Sequence, residues 1–129
     1  MALRHLRRYD ESETLNRRAL EGREKILGAD HPDTLTSVNN LATVLRYQGK
    51  HTESATTNWR ALEGYEKILG SYHPDTLTSV SNLALTLQYQ GKYNESERMY
   101  RRALEGRKKI LGPNHPKTQS SAKNLATLL

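Results

Sequence analysis

Residues 9–50, YDESETLNRRALEGREKILGADHPDTLTSVNNLATVLRYQGK, and residues 51–92, HTESATTNWRALEGYEKILGSYHPDTLTSVSNLALTLQYQGK, decide the architecture. They align without a gap at 30 identical positions in 42, and residues 93–129 continue the register. Ala19, Ala61 and Ala103 correspond, as do Ile26, Ile68 and Ile110, and His31, His73 and His115. A fixed period of this length is the signature of stacked repeats, each burying its apolar face against its neighbours.

Each repeat reads as two helices. The first opens at Pro32, Pro74 or Pro116, a residue suited to the first helical position because its missing N–H would have had no partner there. Asp33 and Asp75 follow in the first turn and favour the positive helix end, whereas Lys117 does not. Leu35, Val38, Leu41, Ala42 and Leu45 form one apolar stripe, and Gly49 or Gly91 supplies the left-handed stop. The second helix of the middle repeat has the stripe Ala61, Leu62, Tyr65, Ile68 and Leu69, and stops at Gly70. Glu21 with Lys25, Glu63 with Lys67 and Glu105 with Lys109 are spaced for ion pairs within one helix. Gly22, Gly64 and Gly106 lie inside second helices, where glycine is costly, and their recurrence predicts close helix approach.

The expected course is therefore second helices at about 10–27, 52–69 and 94–111 and first helices at 32–48, 74–90 and 116–129. Residues 1–8 align with the end of a first helix, and both chain ends read as cuts through a longer array.

Composition bounds the function. The chain has 129 residues and no cysteine, which removes disulfides, thiol nucleophiles and zinc–thiolate sites. No apolar run approaches the roughly 20 residues of a membrane span, and the N-terminus lacks a secretory pattern, so a soluble cytoplasmic protein is expected. The net charge is +6, but the excess sits at residues 1–9 and 93–129 while the middle is close to neutral. A stripe tracking phosphates would run along the array, so the distribution argues against nucleic acid.

Nothing in the chain reads as catalysis or as a cofactor site. The recurring histidines sit one per repeat. Stacked helices lie roughly 8–10 Å apart, too far for one metal with bonds of about 2.1 Å, so they read as structural residues at helix starts. Gly49-Lys50 and Gly91-Lys92 lack the remainder of a phosphate loop.

The alternation resembles tetratricopeptide repeats, whose usual period is about 34 residues. Leu41-Ala42 and Leu83-Ala84 fit the first-helix signature, Leu45 and Leu87 stand where tyrosine is frequent, and Ala61 is the second-helix alanine. The longer form, with its L-G-x-x-H-P-[DK]-T and N-L-A segments, is similar to kinesin light chain repeats and to arrays in NACHT or NB-ARC signalling ATPases. The resemblance implies an all-α fold, a right-handed α-solenoid of antiparallel helix pairs whose first helices line a concave face.

That face would be non-enzymatic and would take a protein or peptide partner. Its candidate residues are Asn39, Asn40, Thr43, Arg46 and Tyr47, then Ser81, Asn82, Leu85, Gln88 and Tyr89, then Lys123 and Asn124. Asn40, Asn82 and Asn124 form a ladder of carboxamides that either bonds the backbone of an extended peptide or fixes the spacing of repeats. Trp59, which replaces Arg17 and Arg101, is a second candidate contact. The basic residues are not placed as a clamp for a terminal carboxylate. The competing reading is a structural array that stacks end to end through its uncapped terminal helices.

Overall fold

A computed structural model describes residues 2–129, with side chains from Arg8 onward. Among the described residues the chain is helical throughout, with α1 Ala2–Leu27, α2 Pro32–Tyr47, α3 His51–Leu69, α4 Pro74–Tyr89, α5 Tyr93–Leu111 and α6 Pro116–Leu128. It divides into two compact units, Met1–Ile68 and Leu69–Leu129.

The helix boundaries follow from local chemistry. His31, His73 and His115 are the N-caps, and each accepts a backbone N–H two residues on at Nδ1, at 3.1 Å. The recurring histidine thus occupies the role serine or aspartate usually takes. At the other end, Lys50 N–H reaches the Leu45 carbonyl at 2.9 Å and Gly49 N–H the Arg46 carbonyl at 3.0 Å. This pair of bonds needs a left-handed residue, and Gly49 has φ +82°.

The start of the chain departs from expectation. A junction is predicted near residue 9, yet α1 runs unbroken through it for 26 residues. Arg7 stands where Gly49 and Gly91 stand, so the residue that would turn the chain is missing and the helix continues. Met1, part of the expected tail of an earlier helix, lies outside the described residues.

In the first unit, α1 and α2 run antiparallel: Asp10 near the start of α1 accepts from Gln48 beyond the end of α2 at 2.7 Å, while Arg23 donates to Ser37 at 2.8 Å. Leu35, Val38, Leu41, Ala42 and Leu45 of α2 are all buried, as are Ala61, Leu62 and Tyr65 of α3. Gly64 provides the close approach, since a Cβ there would lie 2.5 Å from Leu35 Cδ2. Ser54 lies in the same interface and satisfies itself by donating to the Ala42 carbonyl at 2.6 Å.

The second unit repeats the device. Leu77, Val80, Leu83, Ala84 and Leu87 are buried, Gly106 faces Leu77 at the same 2.5 Å, and Ser96 donates to the Ala84 carbonyl at 2.7 Å. Tyr100 and Leu125 close the core of this unit together with Ala84.

Three sequence expectations need correction. Ile68 is 40% exposed and Leu69 half-buried, not core. With Gly64 opposite Leu35 near the start of the shorter α2, the last turn of α3 overhangs its partner. A Cβ at Gly22 would meet nothing within 4 Å, so close approach holds for Gly64 and Gly106 only. Lys67 pairs with Asp30 at 3.2 Å and Lys109 lies over the Tyr72 ring at 4.4 Å, in place of bonds along their own helices to Glu63 and Glu105.

Candidate functional site

The candidate residues lie on α2, α4 and α6, and the structure treats them unequally. On α2, Asn40 is exposed and Asn39, Thr43 and Arg46 are half-buried. Thr43 donates to the Asn39 carbonyl at 3.1 Å. Tyr47, 54% exposed, stacks on Tyr9 of α1 with centroids 5.4 Å apart, and the Arg46 guanidinium sits 4.8 Å from its ring centre. Arg46 and Tyr47 therefore have a structural use that sequence reasoning did not foresee: they close the α1–α2 junction.

On α4, Ser81, Asn82 and Leu85 are half-buried and Tyr89 is 57% exposed. Gln88 accepts from the hydroxyl of buried Tyr100 at 3.1 Å, so its carbonyl oxygen is engaged within the second unit. On α6, Lys123 and Asn124 are exposed. The Asn82 and Asn124 backbone carbonyls accept from Thr86 at 3.0 Å and Thr127 at 2.7 Å. Trp59 is 39% exposed on α3.

The charged surroundings differ along the chain. Glu13 accepts from Arg17 at 2.7 Å and from Lys50 at 3.0 Å. These bonds, that to Arg17 foremost, outweigh partial burial and hold its carboxyl at about 2, below the usual 4.5. Arg107 is 8% exposed, and its guanidinium donates to Ser121 Oγ at 2.8 Å, Thr78 Oγ1 at 3.4 Å and the Lys117 carbonyl at 3.5 Å. All three acceptors are neutral, and burial lowers its pKa from the ordinary arginine value. The sequence held the signal for this residue. Arg23, two periods earlier, makes the same pair of bonds, to Ser37 and to the Asp33 carbonyl, both at 2.8 Å.

Among the described residues no group of three or more metal-ligating side chains gathers, and no helix is long and apolar enough to cross a membrane.

Antiparallel helices with glycine-stopped first members and alanine- and glycine-bearing second members define an α-helical repeat protein. The chain belongs to the tetratricopeptide repeat family: the family model matches residues 1–58, 39–109 and 76–129. Its structure is similar to nearly identical TPR-like repeats of a kinesin light chain protein from Podosopora anserina. The identity is 26% and the TM-score 0.87, over 98% of this chain and 61% of that one. A single-substitution variant of the same protein gives 25% and 0.87 over the same shares. BtubC (BKLC) from P. vanneervenii gives 25% and 0.82, covering 93% of this chain and 47% of that one. The chain thus spans less than two thirds of the length of these structures. No curated protein matches the sequence.

Tetratricopeptide-like repeats mediate protein–protein interaction and scaffolding, and the all-α repeat class expected from the sequence is the one observed.

Proposed function

We propose that the chain is a non-enzymatic interaction module that binds a peptide or protein on the face lined by its first helices, the concave face that the repeat family implies. The observation that carries this reading is the placement of the asparagines. Asn40 and Asn124 are exposed and Asn82 half-buried. A carboxamide with both donor and acceptor available suits the backbone of an extended partner. Leu85 and Tyr89 beside Asn82 add apolar contact, and Asn39, Ser81 and Lys123, equivalent but different, give successive repeats different preferences.

Such a module would serve as the recognition or scaffolding part of a larger cytoplasmic signalling protein, as the resemblance to NACHT and NB-ARC arrays suggests. The test is quantitative capture of partners by the native chain and by a triple Asn40→Asp, Asn82→Asp, Asn124→Asp variant whose helicity circular dichroism has verified. Partners lost from the variant alone support the reading. Equal recovery by both, or none by either, sinks it.

A further inference from the structure

The three first-helix starts share one device, and its acceptor can be protonated. His31, His73 and His115 accept the backbone N–H of Asp33, Asp75 and Lys117 at Nδ1, each at 3.1 Å. A serine or aspartate cap keeps its oxygen acceptor at every pH near neutrality. An imidazole accepts only while its Nδ1 carries no proton. A proton there removes the acceptor, sets one N–H against another, and adds positive charge at the positive end of the helix. Histidine is the side chain that changes charge between about pH 5 and 8.

The caps differ in what that proton would meet. Asp33 and Asp75 stand two residues after His31 and His73, and the Asp75 carboxylate lies 4.0 Å from His73 Nδ1. Lys117 holds that position after His115. Charges on the neighbouring elements widen the difference. At the first cap, Arg23 of α1 donates to the Asp33 carbonyl at 2.8 Å, and Asp30 pairs with Lys67 of α3 at 3.2 Å. At the second, Lys109 of α5 lies over the ring of Tyr72. At the third, buried Arg107 of α5 donates to the Lys117 carbonyl at 3.5 Å, and Lys108 and Lys109 stand in the last turn of α5. None of the four acids of residues 69–129 takes the part of Asp33 or Asp75 here. Asp75 stands beside His73, Glu97 pairs with Arg101 at 3.2 Å, and Glu95 lies in the first turn of α5, the end remote from α6's start. Glu105, two residues before Arg107, lies on another side of the helix.

We propose that His115 is a pH-sensitive cap, so that acidification from about pH 7.5 to about 5.5 loosens the start of α6 while the starts of α2 and α4 hold. The opened start takes up a proton that the capped helix excludes. The stabilisation is therefore complete at the upper end of this range and is lost as pH falls through it. Both limits lie above the ordinary carboxylate range, so carboxylates do not produce the effect. Lys117 couples the cap to the core, since its N–H meets His115 and its carbonyl accepts from Arg107. The device acts on the helix that carries Lys123 and Asn124, and it holds whether or not that face binds a peptide.

Native-state amide exchange, corrected for the intrinsic pH dependence of the reaction, tests this at Leu35, Leu77 and Gln119. Their N–H groups donate to the His31, His73 and His115 carbonyls, each at 3.0 Å, and so close the first turn of each helix. Between about pH 7.5 and about 5.5, protection of Gln119 should fall about tenfold, and that of Leu35 and Leu77 by no more than about threefold. In Lys117→Asp, Gln119 should behave as Leu77 does. Lys117 is exposed, so this change leaves the core intact, and circular dichroism checks the fold. In His115→Asn, whose carboxamide caps without titrating, Gln119 should stay protected at both pH values. Equal losses at all three amides overturn the proposal. So does a loss at Gln119 that either variant leaves unchanged, or no loss at any of the three.

Discussion

The two units share a repeat and a core design, yet they differ in how most of their charges are matched. Residues 1–68 hold eleven basic and ten acidic side chains, and residues 69–129 hold nine and four. In the first unit, acids on α1 and its turn are matched to bases from Lys50 to Lys67. In the second, the deepest cation, Arg107, is held by two hydroxyls and a carbonyl, and Lys109 uses an aromatic ring. The lesson is a division of labour. Leu35 against Gly64 and Leu77 against Gly106 fix the packing identically, so the charges around them are free to diverge without altering the fold.

The largest expected break in this comparison comes from the paired arginines. Arg107→Ala removes a buried side chain and leaves Ser121 without its donor, at a cost of about 2–3 kcal/mol. Arg23→Ala removes similar bonds from an exposed residue and should cost about 1 kcal/mol. Urea denaturation of the two variants measures the gap, and equal losses would mean that burial does not distinguish the sites.

Next come the glycines, where the sign should reverse between equivalent positions. Gly106→Ala pushes a methyl group into buried Leu77 and should lose about 1–2 kcal/mol. Gly22→Ala meets open space and should gain up to about 1 kcal/mol from helix propensity. Thermal unfolding separates them.

Acid should single out the first unit. The Glu13 carboxyl lies at about 2 in the folded chain against 4.5 unperturbed. Its contribution is therefore complete above about pH 4.5 and is lost as pH falls toward 2. Amide hydrogen exchange at pH 5 and pH 3 should show α1 and α2 loosening, and Glu13→Gln should remove that pH dependence while lowering stability at pH 5. The smallest effect contrasts Lys67 with Lys109. Lys67→Met should cost a few tenths of a kcal/mol at low salt and nothing at high salt, because the exposed ion pair to Asp30 is screened. Lys109→Met should cost a similar amount with a weaker salt dependence, since its partner is a ring.

Much of this was legible in the sequence. The period, the proline starts, the glycine stops and the first-helix stripe could all be read because each depends on residues within one turn or on repetition itself. The buried α2 residues Leu35 to Leu45 are those the stripe predicts. The candidate face was legible only in part. Asn40, Asn82 and Asn124 were identifiable as a ladder, but nothing local reveals that Tyr47 stacks on Tyr9 or that Gln88 accepts from Tyr100. Nor does spacing reveal Ser54 and Ser96 as core residues, because a serine is buried only where a carbonyl such as that of Ala42 or Ala84 waits for it.

By itself, then, the sequence determined the helices and the family, since backbone caps and apolar periodicity act over a few residues and recur every 42. Only the tertiary structure decided the partner of each charge. Lys67 has Glu63 four residues away on its own helix yet pairs with Asp30 across the stack, 37 residues distant. Coulombic attraction acts on separation in space, which packing sets and sequence distance does not.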